Sequence, residues 1–253
     1  MKKYLTAAVA GALISLVAGE VPAASIDIAA GAPGVLSPGL PGATVLGFDN
    51  LPVGGLPSYQ FNGGALSGSG AIENTSLVGK YAQPAGDTTN FLTVSYPSAA
   101  GAVHFAFTNP ENYFGLYWGS MDPYNSITFL RDNEQIATYT GTEIVGLAGL
   151  VANGDQHSTA SNRYINFDLG SGFYDEVILG TTDYAFEVDN IAFGDPPVPS
   201  FTADTFGSVS TLAISTDGIV IVDAPAPIPE PGTLVVLGSS LYGLAFMRRR
   251  KAA

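Results

Sequence analysis

From residue 44 onward the chain alternates short runs of apolar, aromatic and β-branched residues with clusters of turn formers. The runs at 44–48, 91–94, 102–108, 126–130, 135–140, 164–169, 176–179 and 185–193 have the length and composition of strands. Within 102–108, Val103, Phe105 and Phe107 alternate with His104 and Ala106, the pattern of a strand with one buried face. Arg131-Asp132-Asn133-Glu134 is placed to turn one run into the next, and Asp217-Gly218 is a favoured dipeptide for a two-residue hairpin loop. No stretch between the two ends of the chain keeps a helical period, and no repeat length recurs. The pattern therefore predicts an all-β fold, an antiparallel β-sandwich of jelly-roll type, over residues 44–194, and argues against a propeller or solenoid.

The flanks of that domain read differently. Residues 29–43 are rich in Gly, Pro and Ala without any periodic apolar pattern, so 24–43 is expected to be a flexible segment. Asp195-Pro196-Pro197-Val198-Pro199 breaks the strand pattern, and 195–223 is expected to hold a linker followed by either a last hairpin of the sandwich or a small stalk element.

The ends of the chain carry targeting signals. Lys2 and Lys3 precede an apolar run from Leu5 to Gly19, and small residues follow, so residues 1–23 read as a signal peptide cleaved after Ala23 by signal peptidase once the Sec translocon has engaged it. At the other end, residues 224–253 begin as a Pro-rich stalk containing Pro229-Glu230-Pro231. Sixteen apolar or small residues follow, from Gly232 to Met247, and then the basic cluster Arg248-Arg249-Arg250-Lys251. As a helix those sixteen residues would be about 24 Å long against a hydrocarbon core of roughly 30 Å, a span that local thinning can accommodate. The basic cluster is expected to stay cytoplasmic, which leaves the domain outside.

Pro229-Glu230-Pro231, a short apolar helix and a terminal Arg block, in that order and spacing, resemble the PEP-CTERM sorting signal of Gram-negative bacteria. The resemblance covers about the last 25 residues of the chain. It implies processing by exosortase, a transpeptidase-like membrane enzyme, in bacteria that make exopolysaccharide. A second likeness lies in the middle: the segments 111–120, 124–129 and 185–192 are similar to one family of exosortase-dependent surface proteins, over residues 44–194. That family brings no enzymatic activity with it. Together the two likenesses imply a non-enzymatic protein, anchored in the inner membrane before processing and then at the cell surface or outside the cell, in a biofilm matrix setting.

Charge narrows the partners further. Only Lys80, Arg131 and Arg163 lie between residues 24 and 223, against twenty Asp and Glu. So acidic a domain repels phosphate backbones, which argues against nucleic acid, and attracts divalent cations. The chain has no cysteine and only two histidines, His104 and His157. A cysteine nucleophile is excluded, and a histidine-rich metal centre nearly so. Asp175 and Glu176 are adjacent on a candidate strand and point to opposite faces, which does not suit a glycosidase pair.

Two constellations keep a functional reading. In Phe186-Glu187-Val188-Asp189-Asn190, the apolar residues face one side and the two carboxylates the other, and Phe48-Asp49-Asn50-Leu51 is a similar acidic element after the first strand. Asp49 and Asp189 are the preferred ligand pair for a structural Ca²⁺; the alternative is that these side chains bond loop backbone groups as Asx turns do. Tyr113, Phe114, Tyr117 and Trp118 form the densest aromatic cluster. Exposed rings stack on sugars, so Trp118 and Tyr124 are the candidates for an exopolysaccharide-binding surface, with burial in the core as the alternative.

Overall fold

The structure is a computed structural model in which residues 26–147, 149–196, 208–215 and 218–222 are described. The expected signal peptide and cleavage site after Ala23, the Pro229-Glu230-Pro231 motif, the apolar run and the basic cluster lie outside the described residues.

Among the described residues, sixteen strands and one short helix follow one another. They are β1 (Ile26–Ala30), β2 (Thr44–Leu46), β3 (Gly54–Gly55), β4 (Tyr59–Phe61), β5 (Gly64–Gly68), β6 (Gly70–Glu73), β7 (Phe91–Val94), β8 (Gly101–Glu111), β9 (Tyr113–Gly119), β10 (Asn125–Arg131), β11 (Glu134–Thr140), α1 (Gly141–Ile144), β12 (Arg163–Asp168), β13 (Tyr174–Thr181), β14 (Phe186–Gly194), β15 (Ser208–Ser215) and β16 (Gly218–Val222). They form two antiparallel sheets. The larger runs β16-β15-β1-β12-β9-β14-β7-β6-β3, with β2 also on β14, and the smaller runs β11-β10-β13-β8-β5-β4. From β7 to β14 the chain passes repeatedly from one sheet to the other, so that, the β10–β11 hairpin apart, neighbours in a sheet are not consecutive strands.

The two sheets share one core. Phe114, Leu116, Trp118, Ile165, Phe167, Phe186 and Val188 from the larger sheet meet Val103, Phe105, Ile127, Phe129, Val177 and Leu179 from the smaller, all fully buried. The alternation read in 102–108 holds, with Val103 and Phe105 fully buried and His104 outward, its Nδ1 2.6 Å from Glu176 Oε1. The β10–β11 turn takes positive φ at Asp132 (53°) and Asn133 (64°), as a two-residue hairpin loop of the twisted type requires.

Both flanks of the domain join the larger sheet. Residues 26–30 form a strand that pairs with β12 in the larger sheet, and farther along Leu36, Leu40 and Ala43 pack on Tyr113, Tyr117 and Tyr164, so 26–43 is no loose tail. Those contacts are made one residue at a time with partners far along the chain, and such contacts leave no local period. The last hairpin, β15–β16, adds to the sheet beside β1, which decides between the two readings of 195–223; residues 216–217 at its turn lie outside the described ones.

Candidate functional site

The outer face of the larger sheet is covered, and this covering makes the site. β9 is buried on both faces. Its inner residues Phe114, Leu116 and Trp118 fill the core, while Tyr113 and Tyr117 point outward under the 31–43 segment and the loop before β7. Gly115 and Gly119 alternate with them because neighbours press close. A Cβ on Gly115 would lie 2.5 Å from the Tyr113 hydroxyl and 2.8 Å from the Tyr164 ring, and one on Gly119 would lie 3.0 Å from Pro84. Tyr117 donates to the Ala85 carbonyl at 2.6 Å, tying the loop to the strand.

On β14 the predicted division of faces is observed, with Phe186 and Val188 in the core and Glu187 and Asp189 on the opposite side. Both carboxylates are nevertheless buried, at 2% exposure each, beneath the loop between β6 and β7. Glu187 is completely engaged: Oε1 accepts from the Ala82 N–H at 2.8 Å and Oε2 from the Ser120 hydroxyl at 2.7 Å. Burial pushes it up to about 7 against those two hydrogen bonds. Its geometry is that of a clamp holding the covering loop.

Asp189 is engaged on one side only. Its Oδ2 accepts from Asn190 Nδ2 at 3.1 Å, with the Thr89 hydroxyl 3.4 Å away, whereas Oδ1 meets no donor among the described residues. Burial raises it to about 8, with Asp87 and then Asp49 adding to the rise. Asp87 is 7% exposed; its Oδ1 takes the Thr89 N–H at 2.9 Å and the Thr89 hydroxyl at 2.7 Å, and its Oδ2 has no donor.

The backbone explains the meeting. β14 pairs with β7 through Phe186–Val188 and with β2 through Ile191–Phe193. Asp189 sits where one neighbour gives way to the other, at a bulge opposite β9 that leaves Asn190 at φ 49°. The loops that end β2 and begin β7 therefore converge on it, and they carry Asp49 and Asp87.

Asp49 satisfies a loop backbone group. It is exposed, and its Oδ1 accepts the main-chain N–H of Asn90 at 3.0 Å, while Asn90 Nδ2 donates to the Leu51 carbonyl at 3.0 Å and so locks the two loops together. The close carboxylate partner of Asp189 is thus Asp87 rather than Asp49. Asp87-Thr88-Thr89-Asn90 is a polar run directly before a strand, the mirror arrangement of Asp49-Asn50 after one, and this was the available signal. Among the described residues no three His, Asp or Glu side chains form a preformed metal shell.

The aromatic candidates separate. Trp118 is fully buried, its ring 4.6 Å from that of Phe186, and presents no face to a sugar; the core reading applies to it. Tyr124 is half-buried at a cleft of about 370 Å³ whose lining includes Tyr81, Tyr184, Asp122, Asp183 and Asn153. Its hydroxyl lies 2.6 Å from the Tyr184 carbonyl and 2.8 Å from Asp122 Oδ2. Burial raises Asp122, against the hydrogen bond from Tyr124. Lys80 lies 3.8 Å over the Tyr184 ring. Compared with protein-family models and with curated proteins, the chain matches none.

Proposed function

We propose that this chain is a non-enzymatic exported protein of the cell surface or extracellular matrix, sorted through a PEP-CTERM tail by exosortase. The observation that carries the reading is the tail itself, with Pro229-Glu230-Pro231, sixteen apolar or small residues and Arg248 to Lys251 in succession. An N-terminal signal peptide agrees with it in topology. The domain between fits such a role, since its crossing strand order supports a jelly-roll sandwich and its many carboxylates keep it soluble outside the cell. Replacing Pro229, Glu230 and Pro231 by Ala is expected to leave export intact and block C-terminal processing, because the motif is read by an enzyme while the apolar run only anchors. Mass spectrometry of the mature C-terminus checks this, and the same C-terminus in variant and wild type would refute it.

A second reading, an exopolysaccharide-binding module, draws on the Tyr124 cleft. Its tyrosine rings supply stacking surfaces, and Asp122, Asp183 and Asn153 supply polar groups for sugar hydroxyls. Tyr124→Ala is expected to abolish retention on an exopolysaccharide column. Equal retention of the variant would count against this reading.

A further inference from the structure

Two buried carboxylates, each with one oxygen lacking a donor, meet at the switch of strands along β14, where the Thr89 hydroxyl lies 2.7 Å from Asp87 Oδ1 and 3.4 Å from Asp189 Oδ2. Asp189 Oδ1 and Asp87 Oδ2 are the atoms concerned, on side chains 2% and 7% exposed. An oxygen stripped of water and left without a donor is costly, and a second carboxylate beside it compounds the cost. Among the described residues, no basic side chain forms an ion pair with either carboxylate. Among the described residues the one ion pair is His104–Glu176, on the other sheet. Lys80 lies over Tyr184, Arg131 lies over Phe173, and Arg163 donates to the carbonyls of Gly31 and Thr159.

We infer that Asp87 and Asp189 are the paired side-chain ligands of one Ca²⁺ ion, with Asp49 as an outer carboxylate. Calcium suits the group because it takes hard oxygen ligands, completes a shell of six to eight with carbonyls and water, and tolerates irregular geometry. Three further observations fit it. The side chains reach the site from three separate segments, the ends of β2 and β14's bulge and the start of β7, so an ion there would join the pieces of the larger sheet. Asp87 also lines a second cleft of about 370 Å³, with Gln83, Gly86, Gln156 and His157, so the pair lies close beneath the surface. Finally, Asp49 is tied to the segment that carries Asp87 by accepting the Asn90 N–H at 3.0 Å. The site is independent of the tail and of the Tyr124 cleft, so it stands or falls separately from the sorting reading.

The competing arrangement is a proton shared by the two carboxyls, and the experiment separates them. Full-length protein stripped with chelator is titrated with CaCl₂ at constant ionic strength, at a pH near 7.5, following melting temperature and heat of binding. One saturable site per chain is expected, with Kd in the range of about 0.1–1 mM common for extracellular modules, a rise in melting temperature, and poor substitution by Mg²⁺. Asp87→Asn and Asp189→Asn should each weaken binding at least about tenfold, Asp49→Asn less, and Glu176→Gln not at all. If the Asn variants do not fold, terbium luminescence of the wild type provides the second measurement: emission sensitised by buried Tyr117, opposite Asp189 in the β9–β14 ladder, should be quenched by competing calcium. Equal melting temperatures in chelator and in excess calcium, or many weak sites unaffected by Asp87→Asn, would overturn the inference and leave the shared proton.

Discussion

Buried tyrosines tie strands together through their hydroxyls. Tyr174 donates to the Tyr113 carbonyl at 2.6 Å, Tyr113 donates to Asn166 Oδ1 at 2.7 Å, and Tyr164 donates to the Asn190 carbonyl at 2.9 Å. Each hydroxyl carries its ring into a buried place and spends its proton on an acceptor that strand pairing leaves free. Burial raises Tyr113, Tyr139, Tyr164 and Tyr174 above their ordinary value of 10.0. The sign follows from linkage: the folded state holds these protons after the unfolded chain has released them, so the stability they confer is whole below pH 10 and is lost as pH rises above it. Urea midpoints are accordingly expected to fall between pH 8 and pH 11, and Tyr164→Phe to make that fall shallower. Identical midpoints at the two pH values would contradict the argument.

The element that best expresses the architecture is β9. Its seven residues are buried on both faces, so Tyr113-Phe114-Gly115-Leu116-Tyr117-Trp118-Gly119 has no polar position to mark a period of two. A continuous apolar run is what a strand covered on both sides looks like, and it is harder to assign than an alternating one. Gly115 is required where Tyr113 and Tyr164 cross the strand. Both rings are buried and held by hydrogen bonds, so neither can yield to a methyl group. Gly115→Ala is expected to cost about 1–3 kcal/mol as overpacking, despite the better strand propensity of Ala, and a urea titration checks it. A neutral or stabilising result would mean that the outer layer is looser than its contacts imply.

Across the molecule, the larger sheet works as the middle layer of three. The smaller sheet covers its inner face, and the 31–43 segment together with the loop between β6 and β7 covers the outer one. Glu187 fixes that covering by its bonds to Ala82 and Ser120, and Asn162 adds another tie, its Oδ1 accepting from both the Ala85 and the Ser120 N–H at 3.0 Å. Carboxylates that would be solvated on an ordinary half-exposed sheet are thereby enclosed, and the buried Asp87–Asp189 pair is the result.

How much of this the sequence determined can be judged from particular residues. The all-β character, the hairpin at Asp132-Asn133 and the opposed faces of Phe186/Val188 and Glu187/Asp189 are local properties, set by side-chain alternation and turn chemistry, and they were legible. So was the prominence of Asp189. That 26–30 would be a strand, that Trp118 would be core, and that Asp87 would be the neighbour of Asp189 depended on which segments pack on which. The sequence separation between Asp87 and Asp189 is bridged only by the crossing of strands between sheets and by the exchange of β7 for β2 along β14. No period in either segment encodes that exchange, because the loops meet each other and the sheet through single contacts such as Asn90 on Leu51 and Tyr117 of β9 on Ala85. Residue type and spacing decided which strands form and which face each side chain takes; the tertiary structure decided that the second face would also be closed, and with it which charges lost their water.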